Sequence, residues 1–203
     1  MMSAPALVLA STSSYRRHLL SRLDLPFTTM TPKFDERAWE AAHPEARVEE
    51  LALGMARGKA ASLRASASPA RWILSADQLA VLEEDGRTQL LHKPGTPARA
   101  IETLLRLRGR SHRLVNAVVL SAVHGDLEFV AIDEPKLTMR DFSEEEARSY
   151  VESHAPLDCA GAYRVEDAGI RLFARIESED PTGIEGLPLL ATCRLLRAAG
   201  LLP

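Results

Sequence analysis

The segment LVLASTSSYRRHLL, Leu7 to Leu20, constrains the chain more than any other. An apolar run stops at Ala10 and opens into four hydroxyl residues, Ser11, Thr12, Ser13 and Ser14. Tyr15, Arg16 and Arg17 follow, and then leucines return at helical spacing. A short apolar run bounded by a polar turn reads as a buried strand. Leu19, Leu20 and Leu23 read as the inner face of a helix from Tyr15 to Leu23, with a serine as its cap. A strand passing straight into a helix puts unbonded N–H groups and the positive helix end at the turn, which makes a ready anion site. Ser11, Ser13 and Ser14 add hydroxyl donors, and Arg16 can fork onto a pair of phosphate oxygens. The same residues also suit a well-capped helix with solvated arginines, because serines are common at such turns.

The rest of the chain extends this α/β reading. Pro26 to Glu36 reads as a strand entering the loop PKFDER, and Val48 to about Leu63 as a long helix. Trp72 to Ala76 is a second buried strand that ends at Asp77, and Leu79 to Leu82 continues as a strand before the EEDG turn. Thr96 and Pro97 start a helix, cap and first position, with Ala98, Ile101, Leu104 and Leu105 as its stripe and Gly109 as its stop. His112 to Val123 and Leu127 to Met139 read as two long strands around HGD. Ser143 and Glu146 form a capping box for a helix through about Val151. Ile170, Leu172, Ala174 and Ile176 alternate as on one strand face, and Pro188 to Arg197 is a closing helix stopped by Gly200. Strands and helices mixed in this way predict an α/β fold whose sheet is partly parallel and partly antiparallel hairpin.

Composition excludes several classes. With 203 residues the chain suits a single domain, 1–203, at ~150 residues per domain as a prior. A net charge of -3 argues against a dedicated nucleic-acid binder, so a polyanionic ligand must meet a local cluster of cations. Cys159 and Cys193 have no paired spacing, which suits a reducing cytosol and suggests neither a disulfide framework nor a zinc site. No apolar run approaches the ~20 residues of a membrane span, and no signal-peptide pattern is seen. The P-loop, dinucleotide-binding, H-E-x-x-H, C-x-x-C and G-x-S-x-G motifs are all missing.

Charged residues in apolar settings mark the chemistry. Val48, Ala52, Met55 and Leu63 share a helix face, and Lys59 falls in the middle of it, where a lysine either snorkels or meets an anion. Asp77 closes a buried strand, where ligands of α/β sheets gather, as a metal ligand or general base. Lys93, followed by Pro94, ends another apolar stretch. Asp35 and Glu36 sit in a polar loop and alone read as solvated charges. Together these are the cations and carboxylates that a metal–triphosphate site needs.

These segments resemble the Maf family of nucleoside-triphosphate pyrophosphatases. In order, the matching strings are LASTSSYRRHLL, FDE, GKA, SADQ, HKPGTPARAIETLLRLRGRSH, CAGAYRVEDAGIRLF and GIEGLPLLATCRLL. The resemblance implies an elongated two-lobed mixed sheet with flanking helices and a central cleft, similar to inosine-triphosphate pyrophosphatases. It also implies frequent dimers, hence a homodimer as the expected assembly. The implied reaction is hydrolysis of a nucleoside triphosphate to the monophosphate and pyrophosphate with a divalent metal, Mg or Mn. Asp77 would activate water; Ser11, Arg16, Lys59 and Lys93 would take the phosphates; Glu36 and Asp77 would hold the metal.

Tyr15, Gln78 and the string HAPLDCAG from His154 to Gly161 are similar to the subgroup acting on 7-methyl-GTP, with Tyr15, Gln78 and Glu166 at the base-specificity positions. Tyr15 also reads as core packing at the helix start. The alternatives are a pyrimidine (dTTP or UTP) or broad-specificity pyrophosphatase, or a nucleotide-binding regulator of septum formation. Ser14 in place of a proline, Asn116 in place of a threonine and Ser178 in place of a glycine depart from the family pattern.

Overall fold

The computed structural model describes residues 6–203, and the chain divides into two compact units. The first holds the chain up to Gln78, Asn116–Asp133 and Gly186–Pro203; the second holds Leu79–Val115 and Glu134–Glu185.

In the first unit β1 (Leu7–Ala10) pairs in parallel with β2 (Phe27–Met30) and with β3 (Trp72–Glu84). Successive strand side chains point to opposite faces, so four buried residues serve two cores. Leu7 and Leu9 join Trp72, Leu74 and Ala76 beneath α1 (Ser14–Ser21) and α6 (Leu189–Ala198), which bring Leu19, Leu20, Leu195 and Leu196. Val8, Ala10 and Ile73 face the other way, against Ala60 of α3 (Val48–Ala61) and Leu63 just after it. β5 (Ser111–Ala122) and β6 (Glu128–Asp133) pair antiparallel, with Asn116 directly opposite Asp133.

In the second unit the end of β3 turns back into β4 (Arg87–Leu91). Asp85 and Gly86 both have positive φ, 51° and 71°, as a two-residue hairpin requires if its twist is to match the strands. α4 (Pro97–Leu107) starts under the Thr96 cap as expected, and α5 (Glu144–His154) has the Ser143–Glu146 capping box. Both helices cover a core of Leu82, Leu104, Leu107, Leu114, Leu137 and Phe142. β7 (Lys136–Met139) lies between β5 and β8 (Phe173–Glu177). The whole sheet is mixed, in the order β2-β1-β3-β5-β7-β8, with β4 on β3 and β6 on β5.

The α/β class and most elements agree with the sequence reading, and the differences have local causes. β3 is one strand of 13 residues that carries Asp77 in its interior, because β4 takes over as its partner after β1 ends. Leu127 to Met139 is two strands, broken at Pro135, which has no N–H to give the ladder. The alternation from Ile170 to Ile176 is strand only from Phe173; residues 168–172 are a 3-10 turn capped by Asp167, whose Oδ1 accepts from Gly169 N at 3.0 Å. In α4 Ala98 is exposed and Ala100 takes its place in the core.

His112 is a buried histidine of the second unit. Its Nε2 lies 2.7 Å from the Tyr163 hydroxyl, and its Nδ1 has no hydrogen-bond partner among the described residues. Burial pulls its pKa down to about 4 from an ordinary 6.5, so the folded protein binds this proton less readily than the unfolded chain. Stability from this group is therefore whole above pH 6.5 and drains as pH falls toward 4. The total comes to roughly 3 kcal/mol at 1.36 kcal/mol per unit. Urea unfolding at pH 7 and pH 4 should show that loss in the wild type beyond the loss in a His112→Gln variant; equal losses would place the acid sensitivity elsewhere.

Candidate active site

Two periodicities bring the first site group together. On β3 the side chains of Ile73, Ser75 and Asp77 share the face toward α3, where the Ser75 hydroxyl donates to Ala56 O at 2.8 Å. On α3 the buried stripe Ala52, Met55, Ala56, Lys59 and Ala60 faces the sheet. Lys59 and Asp77 therefore face each other, and the ammonium donates to Asp77 Oδ1, both side chains being buried. Asp77 lies just past the last parallel pair, Ala10 with Ser75, so it stands beyond the carboxyl end of β1 although inside its own strand.

The second carboxylate on Lys59 comes from a helix that the sequence reading treats as loop. Asp35 is the last residue of the loop: its Oδ1 accepts from Ala38 N at 3.0 Å and caps α2 (Glu36–Ala42). Glu36, the first residue of that helix, accepts from Lys59 Nζ at 2.6 Å while staying half exposed. α2 buries none of its own residues and is held by aromatic rings on two glycines of α3. A Cβ on Gly58 would stand 2.1 Å from the Phe34 ring, and one on Gly54 2.4 Å from the Trp39 ring. Gly58→Ala should push Phe34 outward and loosen Glu36, costing about 1–3 kcal/mol as overpacking does. A fall in melting temperature that Phe34→Leu partly restores is the expected result; a Gly58→Ala protein as stable as the wild type would show that the seat does not matter.

The hydroxyl turn lies beside this group. Ser13 is the cap of α1, accepting from Arg16 N at 3.3 Å, and Ser11 Oγ accepts from Ser13 N at 3.1 Å. Arg16 donates from Nε to Gly186 O at 2.9 Å. Burial draws the Arg16 guanidinium below its ordinary value, and the Asp77 and Glu36 carboxylates push the other way; it remains a cation. Gly186 has φ of 100°, a conformation that favours glycine, and Arg16 Nε and Gln78 Oε1 both lie near it, 3.7 Å and 3.9 Å from where a Cβ would stand. Tyr15, on the first turn of α1, is 36% exposed and is not core.

Arg16, Glu36, Lys59, Asp77 and Gln78 thus share one region of the first unit, with Ser11 and Tyr15 on the turn and helix that carry Arg16. Lys93 and Glu166 belong to the second unit. Lys93 is exposed just after β4, and Glu166 lies in an exposed turn, its carboxyl raised by partial desolvation and then by Glu185 and Asp167. Asn116 and Asp133 are not among the site residues expected from the sequence. Asn116 is fully buried, donates from Nδ2 to Asp133 Oδ2 at 3.0 Å and accepts from Gln78 Nε2 at 3.0 Å. The available signal was an asparagine inside the apolar strand LVNAVVL.

Among the described residues no three His, Cys, Asp or Glu side chains gather around a metal position. The pair Glu36 and Asp77 still fits a divalent cation. Two carboxylates already converge on one positive charge, and Mg-type ions are commonly held by one or two carboxylates with the remaining places left to water and phosphate.

The family model described as Maf-like protein matches residues 6–199. The chain belongs to the Maf-like family. This Maf-like chain is 42% identical over 196 residues to the 7-methyl-GTP pyrophosphatase of Xanthomonas oryzae pv. oryzae, covering 97% of each chain. It is 39% identical over 197 residues to the one of Chromohalobacter salexigens, again 97% of each, and 38% identical over 195 residues to that of Albidiferax ferrireducens, at 96% and 94%. A solved nucleoside-triphosphatase / dITP/XTP pyrophosphatase of Mycobacterium abscessus covers 97% of this chain and 98% of its own at 18% identity and a TM-score of 0.43, a likeness too loose to bear on the site. Among the described residues no helix is long and apolar enough to cross a membrane.

Proposed function

We propose that this chain, working as one domain in the cytoplasm, hydrolyses a nucleoside triphosphate between its α and β phosphates, with 7-methyl-GTP preferred. The observation that carries this is the buried ammonium of Lys59 held by both Asp77 and Glu36, with Arg16 beside them. A carboxylate without nearby cations would repel a triphosphate, and cations without a carboxylate would bind it and leave the attacking water unactivated. Its Maf-like relatives named 7-methyl-GTP pyrophosphatase support the choice of base.

In this reading Ser11, Arg16, Lys59 and Lys93 take phosphate oxygens. Asp77 accepts the proton of a water whose oxygen bonds to the α phosphorus as the bond from that phosphorus to the bridging oxygen breaks. Pyrophosphate leaves with the electron pair, and the nucleoside monophosphate remains. The four groups Arg16, Lys59, Glu36 and Asp77 sum to no net charge, so these cations alone do not offset a triphosphate. A Mg or Mn ion held by Glu36 and Asp77 would supply the missing positive charge at the phosphate oxygens. Tyr15 offers an aromatic face to the positive ring of a 7-methylated guanine, an attraction of about 0.5–2 kcal/mol, and Glu166 is the further residue assigned to base choice.

The test is release of pyrophosphate, as opposed to orthophosphate, from 7-methyl-GTP, GTP, ATP, dTTP and UTP, with Mg, with Mn and with chelator. Pyrophosphate from 7-methyl-GTP ahead of the others, abolished by chelator, is expected. Orthophosphate alone, or no product from any nucleotide, would overturn the proposal, and preference for dTTP or UTP would overturn the base choice.

A further inference from the structure

Gln78 does not stand alone on its strand. The antiparallel register of β5 and β6 sets Asn116 opposite Asp133, and β3 is the neighbour of β5 in the sheet. The side chains form a relay: Gln78 Nε2 donates to Asn116 Oδ1 at 3.0 Å, and Asn116 Nδ2 donates to Asp133 Oδ2 at 3.0 Å. Each link has a direction. A carboxylate accepts and does not donate, so Asn116 must turn its NH2 to Asp133. That leaves the Asn116 carbonyl toward Gln78, and Gln78 in turn must offer its NH2. Asn116 has no exposed surface, so reversing it would bury a carbonyl against a carboxylate, two acceptors with no proton between them. The Gln78 carbonyl oxygen is therefore the end set toward Gly186 and Arg16, 3.9 Å from where a Cβ of Gly186 would stand.

We infer that Asp133 and Asn116 are positioning residues that set the hydrogen-bonding sense of Gln78, so that its amide meets the nucleobase as an acceptor. The inference rests on the reading of the chain as a nucleotide pyrophosphatase and adds what selects the base. An acceptor oxygen with two lone pairs reads N–H edges, such as the N1–H and amino group of guanine. A methyl on N7 makes that ring cationic, which strengthens its N–H donors, and a bond from a charged donor is roughly twice as strong as a neutral one. The relay thus favours a 7-methylated guanine over plain guanine at an oxygen that carries no charge of its own. An unconstrained glutamine would present either end and lose this preference.

The experiment compares kcat/KM for 7-methyl-GTP and GTP, read as pyrophosphate release, in the wild type, Asp133→Asn and the double exchange Asn116→Asp with Asp133→Asn. Asp133→Asn replaces a carboxylate that can only accept with an amide that can also donate, so the sense of the relay is no longer imposed from this end. The preference should fall by roughly tenfold, mainly through KM for 7-methyl-GTP. The double exchange gives the Gln78 NH2 a carboxylate to donate to directly, and should restore the wild-type ratio; a merely structural role for the pair does not predict that recovery. An unchanged ratio in Asp133→Asn, equal loss for both nucleotides, or a double exchange that does not recover overturns the inference while the pyrophosphatase reading stands. If Asp133→Asn does not fold, the double exchange decides by itself through retention or loss of the wild-type ratio. A wild type that releases no pyrophosphate overturns both readings; one that releases it without discriminating between the nucleotides overturns this one.

Discussion

Asp77→Asn should lower kcat for pyrophosphate release by roughly a hundredfold or more while leaving the protein folded. The size is that of losing a positioned general base. The fold should survive because the substitution keeps the shape of the side chain and does not strand its partner. Lys59 retains Glu36 at 2.6 Å, so its buried ammonium still has a carboxylate. Melting curves and steady-state kinetics on the same preparation check both halves. Turnover within a few-fold of wild type in a folded Asp77→Asn protein would remove Asp77 from the chemistry.

Lys59→Met should do the reverse to stability and the same to activity. Removing the ammonium leaves the Asp77 carboxylate buried without its bonded cation, and breaking a buried pair from one side costs about 3–5 kcal/mol. For a chain of this length that is on the order of 10 °C in melting temperature. A second substitution separates the two effects. Lys59→Met combined with Asp77→Asn leaves no buried carboxylate at position 77, and Glu36 is half exposed, so the double variant should regain much of the lost stability without regaining turnover. If Lys59→Met melts with the wild type, the pair contributes nothing to the fold. If it also turns over normally, Lys59 handles no phosphate. Recovery of activity in the double variant would contradict both roles at once.

The elements with strong local signals were legible in the chain. The continuous apolar run Leu7–Ala10, the Thr96–Pro97 start and the Ser143–Glu146 capping box depend on neighbours a few residues away, and each appears where expected. Lys59 and Asp77 stood out for the same kind of reason, a charge among apolar positions.

What the chain could not reveal by itself was which charges meet. The sequence leaves Lys59 to snorkel or to find an anion; the anions it finds are Asp77, 18 residues on, and Glu36. Glu36 reaches it only because Phe34 and Trp39 sit on Gly58 and Gly54 and dock a helix that has no buried residues and hence no apolar stripe to announce it. Asp77 reads as the end of a strand because its own neighbours turn polar there, whereas the true end is that of β1, the strand beside it. The relay from Gln78 to Asn116 to Asp133 is set by the register of paired strands. Local propensity and hydrophobic period belong to a short stretch of chain and can be read along it. Hydrogen-bond partners across a sheet belong to segments far apart in sequence, and only tertiary packing brings them within 3 Å.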